Sequence, residues 1–261
     1  MAMLTVKNEN FFEYKFIFRN NLLLLSDTNK LPEDSVMQKC IDFQLAKDMF
    51  SESSHNYTTL HLEENSPTPQ NHKWVPLRSV FAENAIFSPI ATRAIALLNW
   101  RNKTRFCSSC GSLLHDDKFE TARFCANCGN IFFPTVSPAI IVIIEKEGKI
   151  LLARHANRNT DIYTCLAGYL EPGESAKECV IREVKEEVGL EIQNIQFQKT
   201  QSWPFPDQFI IGFSAQWKSG EIILQREELE DAKWFDPDNL PNIPKPGSVA
   251  WDLINLFIKK K

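Results

Sequence analysis

The stretch "GYLEPGESAKECVIREVKEEVGL", residues 168 to 190, reads as a loop, a helix and a stop. Ser175 and Glu178 stand in the S-x-x-E spacing of a capping box, so a helix is expected to begin just after Ser175. Gly189 is the residue type that ends one. Ala176, Val180, Val184 and Val188 recur every four residues and make a single apolar stripe. Glu183 and Glu187 each precede a member of that stripe by one residue, about 100° around the helix from it, which sets them side by side at the edge of the core. Glu186, one turn after Arg182, adds a third carboxylate. Like charges at i,i+4 cost a helix roughly a few tenths of a kcal/mol, and Lys185 faces away from this column. Clustered carboxylates suit a hard divalent cation such as Mg²⁺ or Mn²⁺. Spacing alone leaves a solvated acidic face an equally good reading.

On either side of this helix the pattern is that of strands. "PAIIVIIEKEGKILLAR" (138–154) reads as a hairpin turning at Gly148, and "IQNIQFQKTQSWPF", "QFIIGFSAQW", "EIILQ" and "AKWFDP" read as further strands. "VAWDLINLFIKK" closes the chain as an amphipathic helix with Val249, Leu253, Leu256 and Phe257 on one face. Upstream, "YKFIFR" and "NLLLLSD" have strand character, and "SESSHNYTTLHLEENSPTPQNHK" (51–73) reads as a loop or elaborated edge. Ala, Ile and Leu take helical spacing from Ile90 to Trp100.

Between these halves lies "RFCSSCGSLLHDDKFETARFCANCGN" (105–130), in which Cys107, Cys110, Cys125 and Cys128 form C-x2-C-x14-C-x2-C, each pair followed by a glycine. That spacing favours one structural Zn²⁺, held by four thiolates with no open position, over two disulfides. Cys165 and Cys179 sit among apolar residues and read as buried small hydrophobes.

With 43% hydrophobic residues among 261 the chain can bury a sizeable core, and length suggests about two domains. Lys+Arg 29 against Asp+Glu 33, a net charge of −4, supplies no chain-wide basic field to recruit nucleic acid or an anionic membrane. No apolar run reaches the ~18 residues a membrane span needs, and the opening "MAMLTVKNENFFEY" lacks the features of a signal peptide, so a cytoplasmic location is expected.

The spacing of Gly168, Glu174, Arg182-Glu183-Val184, Glu186-Glu187 and Gly189-Leu190 matches the Nudix box, G-x5-E-x7-R-E-U-x-E-E-x-G-U with U aliphatic, at every defined position. The segment resembles a Nudix hydrolase, over roughly residues 134 to 261. "TQSWPFPDQ" (200–208) is similar to the S-Q-P-W-P-F-P-x-S signature of that superfamily's NADH pyrophosphatase branch. Gln201 and Trp203 through Pro206 keep it, whereas Thr200, Ser202 and Gln208 depart from it and loosen the dinucleotide preference. The preceding zinc ribbon is also that branch's arrangement, extending the resemblance to about residues 75 to 261. In a chain without the box, "WPFP" reads equally as a rigid turn filling a core edge.

The resemblance implies an α+β protein: a Nudix α/β/α sandwich with a mixed sheet (134–261), preceded by a zinc ribbon (105–133) and a small mixed N-terminal domain (1–104). It implies that Glu183, Glu186 and Glu187, with Glu228, bind Mg²⁺ or Mn²⁺ and carry catalysis, and that Gly168, Glu174 and Arg182 support them. Substrate contacts carried over by position are Arg78, Glu120, Phe133, Ala167, Tyr169, Gln201, Ser202, Trp203, Pro204, Phe205, Pro206, Asp207, Gln208 and Ala250. The implied reaction is hydrolysis of the pyrophosphate bond of NADH or NAD⁺ to AMP and the (reduced) nicotinamide mononucleotide, in a homodimer. Alternatives are removal of NAD caps from RNA 5′ ends, with "RNKTR" (101–105) as a small basic patch for the RNA backbone, and a non-catalytic nucleotide sensor or RNA-binding regulator that kept the fold.

Overall fold

A computed structural model describes residues 12–84, 86–157 and 160–258. The chain divides into two compact units, Met1–Pro134 and Thr135–Lys261. Among the described residues no helix is long and apolar enough to cross a membrane.

The first unit holds a sheet of β1 (Tyr14–Arg19), β2 (Leu22–Ser26), β3 (Ala46–Glu52), β4 (Tyr57–Leu62) and β5 (His72–Pro76), in the order β3-β4-β1-β2-β5. β1 and β4 run parallel; the remaining pairs are antiparallel. Strand alternation sends Ile17, Leu24, Leu60 and Leu62 to one face, where they bury Met37 and Cys40 of α1 (Asp34–Asp42). The other face receives the short α2 (Leu77–Val80) and α3 (Ser88–Lys103), whose Pro89 sits in the first turn, where no backbone N–H is missed. The segment 51–73, expected as a loop or elaborated edge, instead contributes β4, an interior strand buried at every position. Polarity hid it. Thr58, Thr59 and His61 are buried in β4, where β-branched threonines suit the pleat and the ladder satisfies the main chain.

His61 carries a cost. Asn102 Nδ2 donates to His61 Nδ1 at 3.0 Å, so the ring proton sits on the buried Nε2, which has no partner. Burial, helped by Lys47, pushes the ring from 6.5 down to about 4.

The cysteine segment forms three short antiparallel strands, β6 (His115–Asp116), β7 (Arg123–Phe124) and β8 (Ile131–Phe132). Arg101 of α3 fastens them within this unit, pairing with Asp48 of β3 at 2.9 Å and Asp116 of β6 at 2.7 Å. Arg123 Nη1 donates to the carbonyls of Arg101 and Thr104 at 3.1 and 2.8 Å, satisfying main-chain acceptors at the α3 C-terminus.

The second unit is a six-stranded mixed sheet of β9 (Ser137–Lys146), β10 (Lys149–His155), β11 (Leu166–Tyr169), β12 (Glu191–Trp203), β13 (Gln208–Ser219) and β14 (Leu229–Phe235). The order is β12-β13-β9-β10-β14, with β11 also pairing β9 and the β9–β13 pair parallel. Glu147 and Gly148 turn the β9–β10 hairpin with φ of 49° and 78°, the pair of positive values a type I′ turn requires. One face packs Ile140, Val142, Ile144 and Phe213 against Val180, Val184 and Val188 of α4 (Ala176–Val188). The other packs Ile141, Ile143, Ile150 and Leu152 against Val249, Ala250, Leu253 and Ile254 of α5 (Val249–Ile258). The layering is the expected α/β/α sandwich. Leu256, assigned by spacing to the buried face of α5, is 42% exposed, and Ile254 takes a place in the core instead. "EIILQ" (221–225) is not a strand; it crosses the end of α4, where Ile223 N and Gln225 N donate to the carbonyls of Val188 and Glu187, both at 3.0 Å. Helix carbonyls otherwise without partners claim those donors before a neighbouring strand can.

His61 makes the first unit acid-sensitive. Its folded pKa lies below its unfolded one, so its contribution is complete above pH 6.5 and fades as pH falls towards about 4. Urea unfolding of this unit is expected to lose about 2 kcal/mol between pH 7 and 5, and the His61→Gln protein to show a flatter slope over that range.

Candidate active site

The capping box forms as read: Glu178 N donates to Ser175 Oγ at 3.3 Å and Ser175 N to Glu178 Oε2 at 2.8 Å. Gly189 closes the helix with φ 72°. The helix therefore starts and stops where the carboxylates require, with Glu183 and Glu187 both buried, Glu187 to 1% exposure.

Arg182 organises the array. Its Nε and Nη2 donate to the two oxygens of Glu174 at 2.8 and 3.0 Å, and its Nη1 to Glu183 Oε1 at 2.8 Å and Glu186 Oε2 at 3.0 Å. Nη2 also donates to the carbonyl of Tyr169 at 2.9 Å, tying α4 to the end of β11. This contact with Arg182 holds the Glu174 carboxyl down to about 2. Gly168 explains itself here: a Cβ on it would stand 1.9 Å from Glu183 Cδ, so the carboxylate lies directly against the main chain of β11.

Glu187 is different. Burial, reinforced by the charges of Glu183, Glu228 and Glu186, raises its carboxyl to about 8. Burial also raises Glu183 despite the Arg182 contact. Glu187 Oε2 is buried and has no hydrogen-bond partner. A buried carboxylate oxygen without a donor is costly unless a cation takes the place of one. Glu228, exposed at the start of β14, is close enough for its charge to be felt by both Glu183 and Glu187. The unpartnered Glu187 oxygen is a candidate contact for Mg²⁺ or Mn²⁺, ions that keep waters and substrate oxygens among their ligands.

The cysteines are the contrasting case. Among the described residues they are the set that gathers ligand atoms within 4.8 Å of one another. Cys107 and Cys128 sulfurs lie 3.6 Å apart, Cys110 and Cys125 3.4 Å, and all four thiols are free. A tetrahedron with Zn–S bonds of about 2.3 Å has edges of about 3.8 Å, close to these separations, whereas a disulfide requires about 2.05 Å. The two turns repeat each other: Gly111 N donates to Cys107 O and Gly129 N to Cys125 O, both at 2.9 Å, with φ of 72° and 76° at the glycines.

Trp203 pairs with Gln208 across the β12–β13 hairpin, whose tip is Pro204 to Asp207. Trp203 and Phe205 meet edge to face at 5.3 Å, Pro204 is buried, and Ser137 Oγ donates to Asp207 at 3.0 Å. Gln208 Nε2 donates to the Tyr169 hydroxyl at 2.6 Å. Tyr169, 49% exposed, thus connects the carboxylate array through its carbonyl to the hairpin tip through its hydroxyl. Ala167 sits one residue before Gly168 in β11, paired with Ile141. Ser202 is exposed on β12.

Gln201 is committed elsewhere. Its Nε2 donates to Gly247 O at 2.8 Å and its Oε1 accepts from Val249 N at 2.7 Å, so the side-chain amide braces the turn that leads into α5. The side chain of Ala250 is in the α5 core. Arg78, Glu120 and Phe133 belong to the first unit and are exposed. In "RNKTR", Arg101 pairs with Asp48 and Asp116, and Lys103 and Arg105 are exposed. Sequence reading missed both the brace by Gln201 and the tie through Tyr169, since neither joins residues near each other in the chain.

A NUDIX domain model matches residues 134–256. A "NAD-capped RNA hydrolase NudC" from Pseudomonas putida strain W619 is 40% identical over 189 residues, 72% of this chain and 68% of that protein. The chain belongs to the Nudix family. Within that family its likeness is to the NudC branch: the Pseudomonas fluorescens strain Pf0-1 protein of the same name is 37% identical over 204 residues, 77% of this chain and 73% of the relative. The Pseudomonas putida strain F1 protein is 43% identical over 162 residues, 62% of this chain, and the match spans about three fifths (59%) of that relative's length. A Nudix hydrolase structure from Nitrosomonas europaea shares the fold, with a TM-score of 0.50 and 22% identity over 60% of this chain and 92% of that one.

Replacing Gln201 by Ala leaves Gly247 O and Val249 N without their partner, which costs about 1–3 kcal/mol. Thermal unfolding of Gln201→Ala is expected to shift down by several degrees, and an unchanged midpoint would mean the brace contributes nothing.

Proposed function

We propose that this chain is a divalent-metal-dependent hydrolase of the pyrophosphate linkage in NADH and NAD⁺, as free dinucleotides or as the cap on an RNA 5′ end. The observation that carries this reading is Glu187 Oε2, buried and unpartnered beside Glu183 and Glu228 on an intact Nudix helix. Glu183, Glu186, Glu187 and Glu228 would hold Mg²⁺ or Mn²⁺, which when bound neutralises pyrophosphate charge and lowers the pKa of water. The protein's own part is positional. Arg182 keeps Glu183 and Glu186 oriented by hydrogen bonds, Glu174 anchors Arg182, and Gly168 leaves room for the Glu183 carboxylate. The exposed ring of Tyr169, fixed at both ends, offers a stacking face for a base, and the Trp203–Phe205 hairpin tip adds a second aromatic surface.

Water attack at one phosphorus of NADH, with departure of the other phosphate, gives AMP and reduced nicotinamide mononucleotide; on capped RNA it gives nicotinamide mononucleotide and a 5′-monophosphate end. The cap reading is favoured by the name its NudC relatives carry. The four cysteines are proposed to hold one structural Zn²⁺, and a homodimer is proposed on the resemblance to the branch.

NADH, NAD⁺ and NAD-capped RNA, compared by kcat/KM with Mg²⁺ or Mn²⁺ present, rank the substrates. Glu187→Gln should retain the fold and lose on the order of 100-fold or more in kcat, the scale of removing one main stabiliser of transition-state charge; activity like that of the parent would remove Glu187 from the chemistry.

Zinc has its own readout. Purified protein should carry one equivalent of Zn²⁺, and its removal by a chelator should lower the unfolding temperature of the first unit. Full stability of a zinc-free Cys125→Ser protein would overturn the structural role.

A further inference from the structure

Two of the proposed cation ligands, Glu187 and Glu228, lie on different elements, and each is fastened to the same residue. The segment after Gly220 crosses the last turn of α4 and ends at Gln225, whose N–H donates to the Glu187 carbonyl at 3.0 Å. Ile222 and Leu224 pack against the α4 core and Ile223 lies over Gly189, so this crossing is held by apolar contacts as well as by hydrogen bonds. The carbonyl of Gln225 then accepts from Glu228 N at 3.1 Å and Leu229 N at 2.9 Å, the turn from which β14 starts. Its side chain reaches the same residue, Nε2 donating to Glu228 Oε1 at 3.4 Å.

We propose that Gln225 is a positioning residue that sets Glu228 against Glu187, joining the two halves of the cation site. This rests on the reading of Glu187 and Glu228 as ligands. The carboxylates repel each other, and an exposed glutamate left to itself turns its side chain out into water. Gln225 opposes that in two ways. Its main chain fixes the spacing between the α4 backbone at Glu187 and the start of β14, while its amide gives Glu228 Oε1 a donor that leaves Oε2 free for a cation. A residue that orients a ligand without touching the ion acts on affinity for the ion more than on the step that follows binding.

The test uses the full chain and Mn²⁺ alone as the probe. Gln225→Met keeps the aliphatic stem and the main-chain bonds and removes only the amide. It is expected to weaken Mn²⁺ binding measured by calorimetry by about 10-fold or more, the scale seen when a ligand loses its orienting partner. The melting temperature in EDTA should stay at that of the parent, and kcat should largely recover at saturating Mn²⁺. Gln225→Glu, which replaces a donor by a third repelling charge, should weaken Mn²⁺ further. If Glu187→Gln abolishes Mn²⁺ binding while Gln225→Met leaves it at the parent value, Gln225 has no positioning role. An equal loss of stability without metal would likewise make the residue merely structural and overturn the proposal. Should Glu187→Gln itself bind Mn²⁺ like the parent, the cation site fails and the role of Gln225 with it.

Discussion

The guanidinium of Arg182 is the contact on which the arrangement of the second unit's glutamates depends. One planar group meets Glu174, Glu183, Glu186 and the carbonyl of Tyr169. A lysine has donors but no fork, and would leave some of these acceptors unmatched. Through it a loop, a helix and the end of a strand share one geometry. Arg182 is itself pushed above its usual range by the hydrogen bonds it donates to Glu174, so it stays charged throughout. It hydrogen-bonds Glu174, Glu183 and Glu186, whereas Glu187 Oε2 receives no donor.

The two candidate metal sites divide along the same physical line. Sulfur atoms held by paired turns enclose a space with no remaining position, as suits an ion that only holds the fold together. Among the glutamates one buried oxygen, Glu187 Oε2, lacks a partner, as suits an ion that must also take water and substrate. Arginine serves both units in the same manner. Arg101 and Arg123 fasten the cysteine strands to α3 and β3 in the first, as Arg182 fastens the glutamates in the second.

Several elements could be read directly because their causes are local. The capping box spans four residues, the valine stripe repeats within one helix, and the Gly148 turn needs only its own dihedral angles. Each is settled by interactions within a turn or two of chain, so the residue types in order carry the information. Tertiary context overruled the same kind of reading where it competed. "YTTLHL" looked polar enough for a loop, yet pairing with β1 and β3 on both sides made it an interior strand. "EIILQ" has the apolar run of a strand, yet the carbonyls of Glu187 and Val188 accept from its N–H groups.

Sequence by itself determined the family box, the four-sulfur spacing and the clustering of Glu183, Glu186 and Glu187 on one helix, because these are periodic or contiguous, while the layers of the second unit were implied by the resemblance that the box carries. Only the tertiary structure decided which carboxylate oxygen is left without a partner, that Gln201 braces the approach to α5, and that Tyr169 joins the glutamates to the hairpin tip. Those outcomes depend on side chains tens of positions apart arriving at one place, where burial and charge are set by neighbours that no local pattern names.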